Sequence, residues 1–285
     1  MPRITVVTDS TASLPDETAR ARGVLVVPLQ VVIGAASYDE GSAEATPAKV
    51  AEALRTWTPV STSRPTPAAM LQTYRAAAAA GAEGIVSVHL SSEMSGTLES
   101  AQLAARDSPV PVVVVDSRQV GFATGVAALE AADVIEAGGS AEEAADAARR
   151  RATGSTSLFY VDTLEYLRRG GRIGAAAAIL GSALAVKPLL QIEDGRIASL
   201  EKVRTTTKAL ARLVELAVEA AGDSQVSIGV AHLANPERAD ALVAAVSQRL
   251  AANLDGRPVQ CAELGAVLGA HVGPGMVAVC VSPLL

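Results

Sequence analysis

The chain has 285 residues, 49% of them hydrophobic but only 2% aromatic, and a formal net charge of −6. That length holds one large domain or two ordinary ones, and the apolar share supports a substantial aliphatic core. The acidic balance, with a pI near 5.2, and the scarcity of stacking aromatics exclude a nucleic-acid-binding protein.

The opening residues, Met1-Pro2-Arg3-Ile4, lack the charged-then-apolar pattern of an export signal. Ile4–Thr8 reads as a strand and Leu14–Arg22 as a short helix. Val24–Ile33 reads as one extended segment, with Pro28 marking an edge or bend. Thr46-Pro47 opens a helix over Ala48–Thr56, and Thr66-Pro67 opens another over Ala68–Ala80. In both, threonine is placed to cap and proline occupies the first helical position. Ile85–Leu90 is the next strand, Leu98–Ala105 a helix, Val110–Val115 a strand and Thr124–Ala137 a helix. This alternation argues for a parallel sheet covered by helices.

After a charged helix over Ala141–Arg151, the segment Ala152–Thr156 reads as a linker, which sets domains at 1–152 and 153–285. Leu158–Val161 reads as a strand. Leu189–Ile192 and Ile197–Leu200 flank Asp194-Gly195, the strongest hairpin signal in the chain, because that pair suits a tight primed turn. Thr206–Ala221 is a helix, Ser227–Ala231 a strand, Pro236–Leu250 a helix and Val277–Val281 a closing strand. The second half is therefore mixed. Its longest apolar stretch, Gly174–Val186, ends at Lys187 and is too short to span a bilayer. Cys261 and Cys280, alone in so long a chain, read as buried reduced thiols. The expectation is a cytoplasmic protein with no transmembrane segment.

No glycine-rich dinucleotide fingerprint, phosphate-loop lysine, His-Glu-x-x-His or Cys-x-x-Cys motif occurs. The segment Ser91-Ser92-Glu93-Met94-Ser95-Gly96-Thr97 lies between a strand end and a helix start, where backbone N–H groups and the helix dipole favour an anion. Taken alone, the loop reads as a plain helix cap at Ser95 or Thr97, because caps are far commoner than sites. His89 reads as a satisfied core histidine, His232 as a cap or a sheet-end polar group, and His271 as the lead-in to the loop Val272-Gly273-Pro274-Gly275. Thr8-Asp9-Ser10-Thr11, Asp116-Ser117-Arg118, Ser61–Pro67 and Gly170–Gly174 are further polar or glycine-punctuated segments at strand ends or helix mouths. In open parallel sheets ligands bind beyond the carboxyl ends of the strands.

Taken in order, Thr8-Asp9-Ser10, Thr62–Pro67, Ser91–Thr97, Tyr166–Ile173, Lys187-Pro188, Asp194-Gly195, Lys202-Val203-Arg204 and His271–Gly275 resemble the DegV family of bacterial fatty-acid-binding proteins. These are also described as the binding subunits of fatty acid kinase. The resemblance covers essentially the whole chain. It implies two α/β domains, the first with a mainly parallel sheet and the second with a mixed one, and a ligand tunnel at and beyond their junction. It implies that Thr62, Ser63, Ser95 and His271 bind the fatty-acid carboxylate, with Arg172 near the head group and Arg204 acting in hand-over to the kinase. Arg64, Gly96 and Thr97 sit in matching motifs and rank lower. It implies no cofactor beyond the bound fatty acid, no catalysis by this chain alone, and two partners: the fatty acid and the kinase catalytic subunit. The product, an acyl phosphate, would feed phospholipid synthesis. The departure is the alanine-rich, aromatic-poor run Ala175–Val186, whose small residues serve equally as tunnel lining or as close helix packing.

Elementary chemistry fits these roles. A carboxylate taken from water needs donors or a positive charge, and hydroxyls donate one hydrogen bond each. A protonated His271 would pair with the charge. Two alternatives stay open from the residues. One is an acyl hydrolase with Ser95 as nucleophile and His271 as base, although Glu93 stands where a nucleophile elbow needs glycine. The other is a binder of a small phosphorylated metabolite, using the same loops as an anion nest.

Overall fold

A computed structural model describes residues 3–179 and 187–285. The chain forms two compact units, one of Met1–Gln30 with Ser63–Gly154 and one of Val31–Thr62 with Ser155–Leu285. The last of the three crossings between the units falls between Gly154, which ends a helix, and Thr156, which begins a strand. The segment 31–62, expected in the first domain, groups with the second unit instead.

In chain order the first elements are β1 (Ile4–Asp9), α1 (Asp16–Ala21), β2 (Leu25–Val27), β3 (Gln30–Ile33), β4 (Ala36–Asp39), α2 (Pro47–Arg55) and β5 (Val60–Ser63). Then come α3 (Pro67–Ala79), β6 (Gly84–His89), α4 (Thr97–Arg106), β7 (Val112–Asp116), α5 (Phe122–Glu136) and α6 (Ala141–Gly154). The remainder is β8 (Thr156–Tyr160), α7 (Glu165–Arg169), β9 (Lys187–Glu193), β10 (Arg196–Val203), α8 (Thr206–Ala221) and β11 (Val226–His232). The chain closes with α9 (Pro236–Arg249), α10 (Ala251–Leu254), β12 (Gln260–Glu263), α11 (Ala266–Val272) and β13 (Val277–Pro283).

The first unit is built on an all-parallel sheet of order β2-β1-β6-β7. Its central strand β6 is buried at every position, as expected where helices cover both faces. On one face Val86, Val88 and Val115 meet the alanine stripes of α5 and α6. On the other, Ile85 and Val7 meet Met70 and Tyr74. With so few aromatics, alanine does the packing here, and its small side chain lets helices approach closely. Thr46 and Thr66 cap α2 and α3 as expected, accepting from Lys49 N at 3.3 Å and Ala69 N at 3.1 Å.

The second unit holds a mixed sheet of order β10-β9-β8-β13-β11-β12, in which β11–β12 is the parallel pair. Its core joins Leu158, Leu189, Ile228 and Val279 to Leu213 of α8 and Leu242 of α9. β9 and β10 form the expected hairpin. Asp194 and Gly195 take φ of 50° and 79°, the left-handed pair that a primed turn requires. A further three-stranded sheet has order β4-β3-β5.

The expected single extended segment over Val24–Ile33 is two strands in two sheets, broken at Pro28. Proline supplies no N–H to a ladder, and the next amide, Leu29 N, donates to Ser10 Oγ at 2.9 Å. Cys261 and Cys280 form no disulfide; Cys280 is buried as expected, whereas Cys261 is exposed on β12. Among the described residues no helix is long and apolar enough to cross a membrane. Of the alanine-rich run, Gly174–Ile179 forms a 3₁₀ helix, and residues 180–186 lie outside the described residues.

Candidate functional site

In the second unit, β5 carries Thr62 and the last turn of α11 carries His271. Thr62 Oγ1 lies 2.8 Å from His271 Nε2. His271, expected to lead into the loop, lies in the last turn of α11, and Gly273, two residues on, caps that helix. Strand pleating sends neighbours to opposite faces, so Ser63 departs from Thr62 and donates to Gln30 Oε1 at 3.3 Å.

Arg172 follows α7, with Nη1 donating to Gly170 O at 2.7 Å. Its charge and, more strongly, burial push the His271 imidazolium down to about 4. The ring is therefore neutral at pH 7, and the positive charges on this cavity wall are those of Arg169 and Arg172. Thr62, His271, Arg172, Gly170, Tyr166 and Trp57 share the wall of a cavity of about 440 Å³. Trp57 is the one tryptophan in the chain. It is 72% exposed and has φ of 61°. The Arg169 guanidinium stacks 4.5 Å from its ring centroid. Arg168 and Arg169 both bind Glu165, and their hydrogen bonds hold that carboxyl down to about 2. Sequence reasoning did not single out Trp57 or the seat that Gly170 provides. A lone tryptophan beside a proline-marked strand start was the available signal.

In the first unit, the Ser91–Thr97 loop joins β6 to α4. Ser95 Oγ lies 2.9 Å from Thr97 Oγ1 and accepts from Thr97 N at 3.3 Å. The helix N-cap itself, Gly96, has no side-chain cap. Arg64 packs over Gly96, donating to its carbonyl at 3.0 Å and pairing with Glu99; a Cβ on Gly96 would overlap the guanidinium. Arg64 is thus tied to the Ser91–Thr97 loop and the first turn of α4.

A buried polar chain anchors that loop. Tyr74 O–H donates to Ser87 Oγ at 2.8 Å, Ser87 Oγ lies 2.7 Å from His89 Nε2, and His89 Nδ1 lies 2.9 Å from Asp9 Oδ2. All four residues are fully buried, and burial pushes the Tyr74 phenol up to about 12. His89 is the satisfied core histidine the sequence implied. This Ser–His–Asp series is closed to solvent and orders the core. Arg204, in the second unit, lies just past the end of β10, is exposed and does not line the cavity.

A family model described as "Uncharacterised protein, DegV family" matches residues 3–284. A DegV domain-containing protein of Streptomyces coelicolor is 53% identical over 279 residues, 98% of each chain. Among solved structures, the chain is similar to a fatty-acid-binding DegV family protein from Thermus thermophilus, with TM-score 0.89, 34% identity and coverage of 99% and 100% of the two chains. It is also similar to DegV, a fatty acid binding protein from Bacillus subtilis, with TM-score 0.88, 31% identity and full coverage of both chains. The chain belongs to the DegV family.

Proposed function

We propose that this protein binds a long-chain fatty acid and presents its carboxylate to a separate ATP-dependent kinase, whose acyl-phosphate product feeds phospholipid synthesis in the cytoplasm. The observation that carries this reading is the grouping of Thr62, His271 and Arg172 on one cavity wall, in a family whose solved relatives from Thermus thermophilus and Bacillus subtilis bind fatty acids. A hydroxyl donor and a guanidinium are what a carboxylate leaving water needs. The acyl tail needs only dry aliphatic surroundings. About fifteen methylenes at roughly 0.8 kcal/mol each set an upper bound near 12 kcal/mol, reduced by ordering costs. The tail therefore dominates affinity and the polar groups fix orientation.

Ser63, Ser95, Thr97, Gly96 and Arg64 carry head-group roles as proposals of their own, each tested by its own variant. Arg204 is proposed as the hand-over residue, on its exposed position after β10. The hydrolase alternative loses its base: Nε2 of His271 is engaged by Thr62 and its Nδ1 is buried without a partner.

Trp57 on the cavity wall reports binding by its fluorescence. Halving the methylene count of the acid is expected to weaken binding by several orders of magnitude, far more than any single head-group variant. Arg204→Ala is expected to leave that titration unchanged and to lower acyl-phosphate formation once the kinase is added. Equal loss of binding in Arg204→Ala contradicts the hand-over role. Acyl phosphate formed from ATP, magnesium and fatty acid with no partner contradicts the division of labour.

A further inference from the structure

His271 is held by two segments far apart in the sequence. A Cβ built on Gly170 would overlap His271 Nδ1, so the hydrogen that glycine carries in that position points at the nitrogen. Gly273 does the reciprocal service. Its φ is 75°, and a Cβ there would overlap the Tyr166 ring. Tyr166–Gly170 and His271–Gly273 therefore interlock, each seating a ring of the other on a glycine.

This seat decides where the imidazole proton sits. Nδ1 is buried and has no hydrogen-bond partner, and the Gly170 N–H is already given to Tyr166 O at 2.9 Å. An N–H at Nδ1 would meet the glycine hydrogen head-on and remain a buried, unsatisfied donor. A lone pair there instead accepts the Cα–H contact. The proton then belongs to Nε2, which donates to Thr62 Oγ1 at 2.8 Å. With its oxygen accepting from the ring, Thr62 keeps its own O–H for a third group.

We propose that Gly170 is a positioning residue: by seating Nδ1 it fixes the Nε2–H form of His271 and makes Thr62 an outward hydrogen-bond donor for an acid oxygen. The proposal rests on the reading of Thr62 as a head-group contact. It adds a specificity rule to that reading. An ionised carboxylate only accepts, and so matches the donor; an alkylammonium only donates, and so does not.

Long-range proton–nitrogen spectra of the full chain, with His271 assigned by comparison with His271→Asn, read the tautomer directly. At pH 7 the expected result is a proton on Nε2 and none on Nδ1; a proton on Nδ1 overturns the proposal. Gly170→Ala is expected to abolish the single tautomer and to weaken fatty-acid binding about tenfold, the scale of one charged hydrogen bond. Gly154→Ala, whose Cβ meets nothing within 4 Å, is expected to change neither. A Gly170→Ala protein with unchanged tautomer and affinity overturns the proposal. Should that variant not fold, the wild-type spectrum still decides the tautomer, and Thr62 variants decide the donor role. Thr62→Ser is expected to retain affinity within a few-fold and Thr62→Val to lose about tenfold; equal loss in both overturns it. The tautomer is read without ligand. A protein that holds the Nε2 proton but binds no fatty acid removes the functional reading and leaves the Gly170 seat standing.

Discussion

Asp9→Ala is expected to cost on the order of 4 kcal/mol of folding stability. Asp9 is fully buried at the end of β1. Its Oδ1 accepts from Thr11 N at 3.1 Å and Thr11 Oγ1 at 2.5 Å. Its Oδ2 accepts from Leu90 N at 3.1 Å and lies 2.9 Å from His89 Nδ1. Alanine leaves all of these donors in the core without a partner, and each buried orphan costs about 1–3 kcal/mol. A domain's whole margin is only about 5–15 kcal/mol. Urea unfolding checks this, and an unchanged midpoint contradicts it. The loss also reaches the Ser91–Thr97 loop. Leu90 directly precedes the Ser91–Thr97 loop, so Asp9 ties that loop to the sheet. In exposed settings the same carboxylate would matter far less, since surface pairs contribute about 0–1 kcal/mol.

The second large effect depends on pH and resides in His271. Its folded-state value is depressed to about 4 from 6.5, first by burial and then by the Arg172 charge. A base so depressed takes up its proton more readily in the unfolded chain. Its contribution to stability is therefore complete above pH 6.5 and is lost as pH falls from 6.5 to about 4. The shift corresponds to a loss on the order of 3 kcal/mol across that window. Measuring unfolding free energy for the wild type and His271→Gln at pH 7.5 and pH 4 isolates this term, because carboxylates common to both proteins cancel. The wild type is expected to lose that amount relative to the variant. A difference that stays constant with pH contradicts the account. The same neutrality means that the positive charge on the cavity wall comes from arginine rather than from the imidazole.

Much of the fold was legible because its signals are local. Thr46-Pro47 and Thr66-Pro67 announce helices through caps that need only four residues, and Asp194-Gly195 announces a hairpin through its backbone preference. The elements that escaped are short and lack apolar periodicity. β12 is exposed at all four positions, and β4 and β5 alternate half-buried with exposed. Without one buried face, a strand reads as loop. The grouping of residues 31–62 with the second unit was not legible either, since Pro28 looks like a bend whether or not the chain changes sheet.

The candidate site divides the same way. Residue types at Thr62, Ser95 and His271 marked them as donors, yet spacing does not say that Thr62 and His271 meet across 209 positions. Nor does it say that pleating turns Ser63 away from Thr62. Gly170 looked like a helix end. Its need to be glycine comes from His271, a hundred residues away, and only packing displays that.

Fatty-acid binding itself is the claim on which the rest depends. The direct test is to purify the full chain without detergent or lipid-stripping steps, extract it with organic solvent and identify the extract by mass spectrometry. The account predicts a long-chain free fatty acid at close to one molecule per chain. An extract without fatty acid, from protein that also fails to take up added long-chain acid, contradicts it.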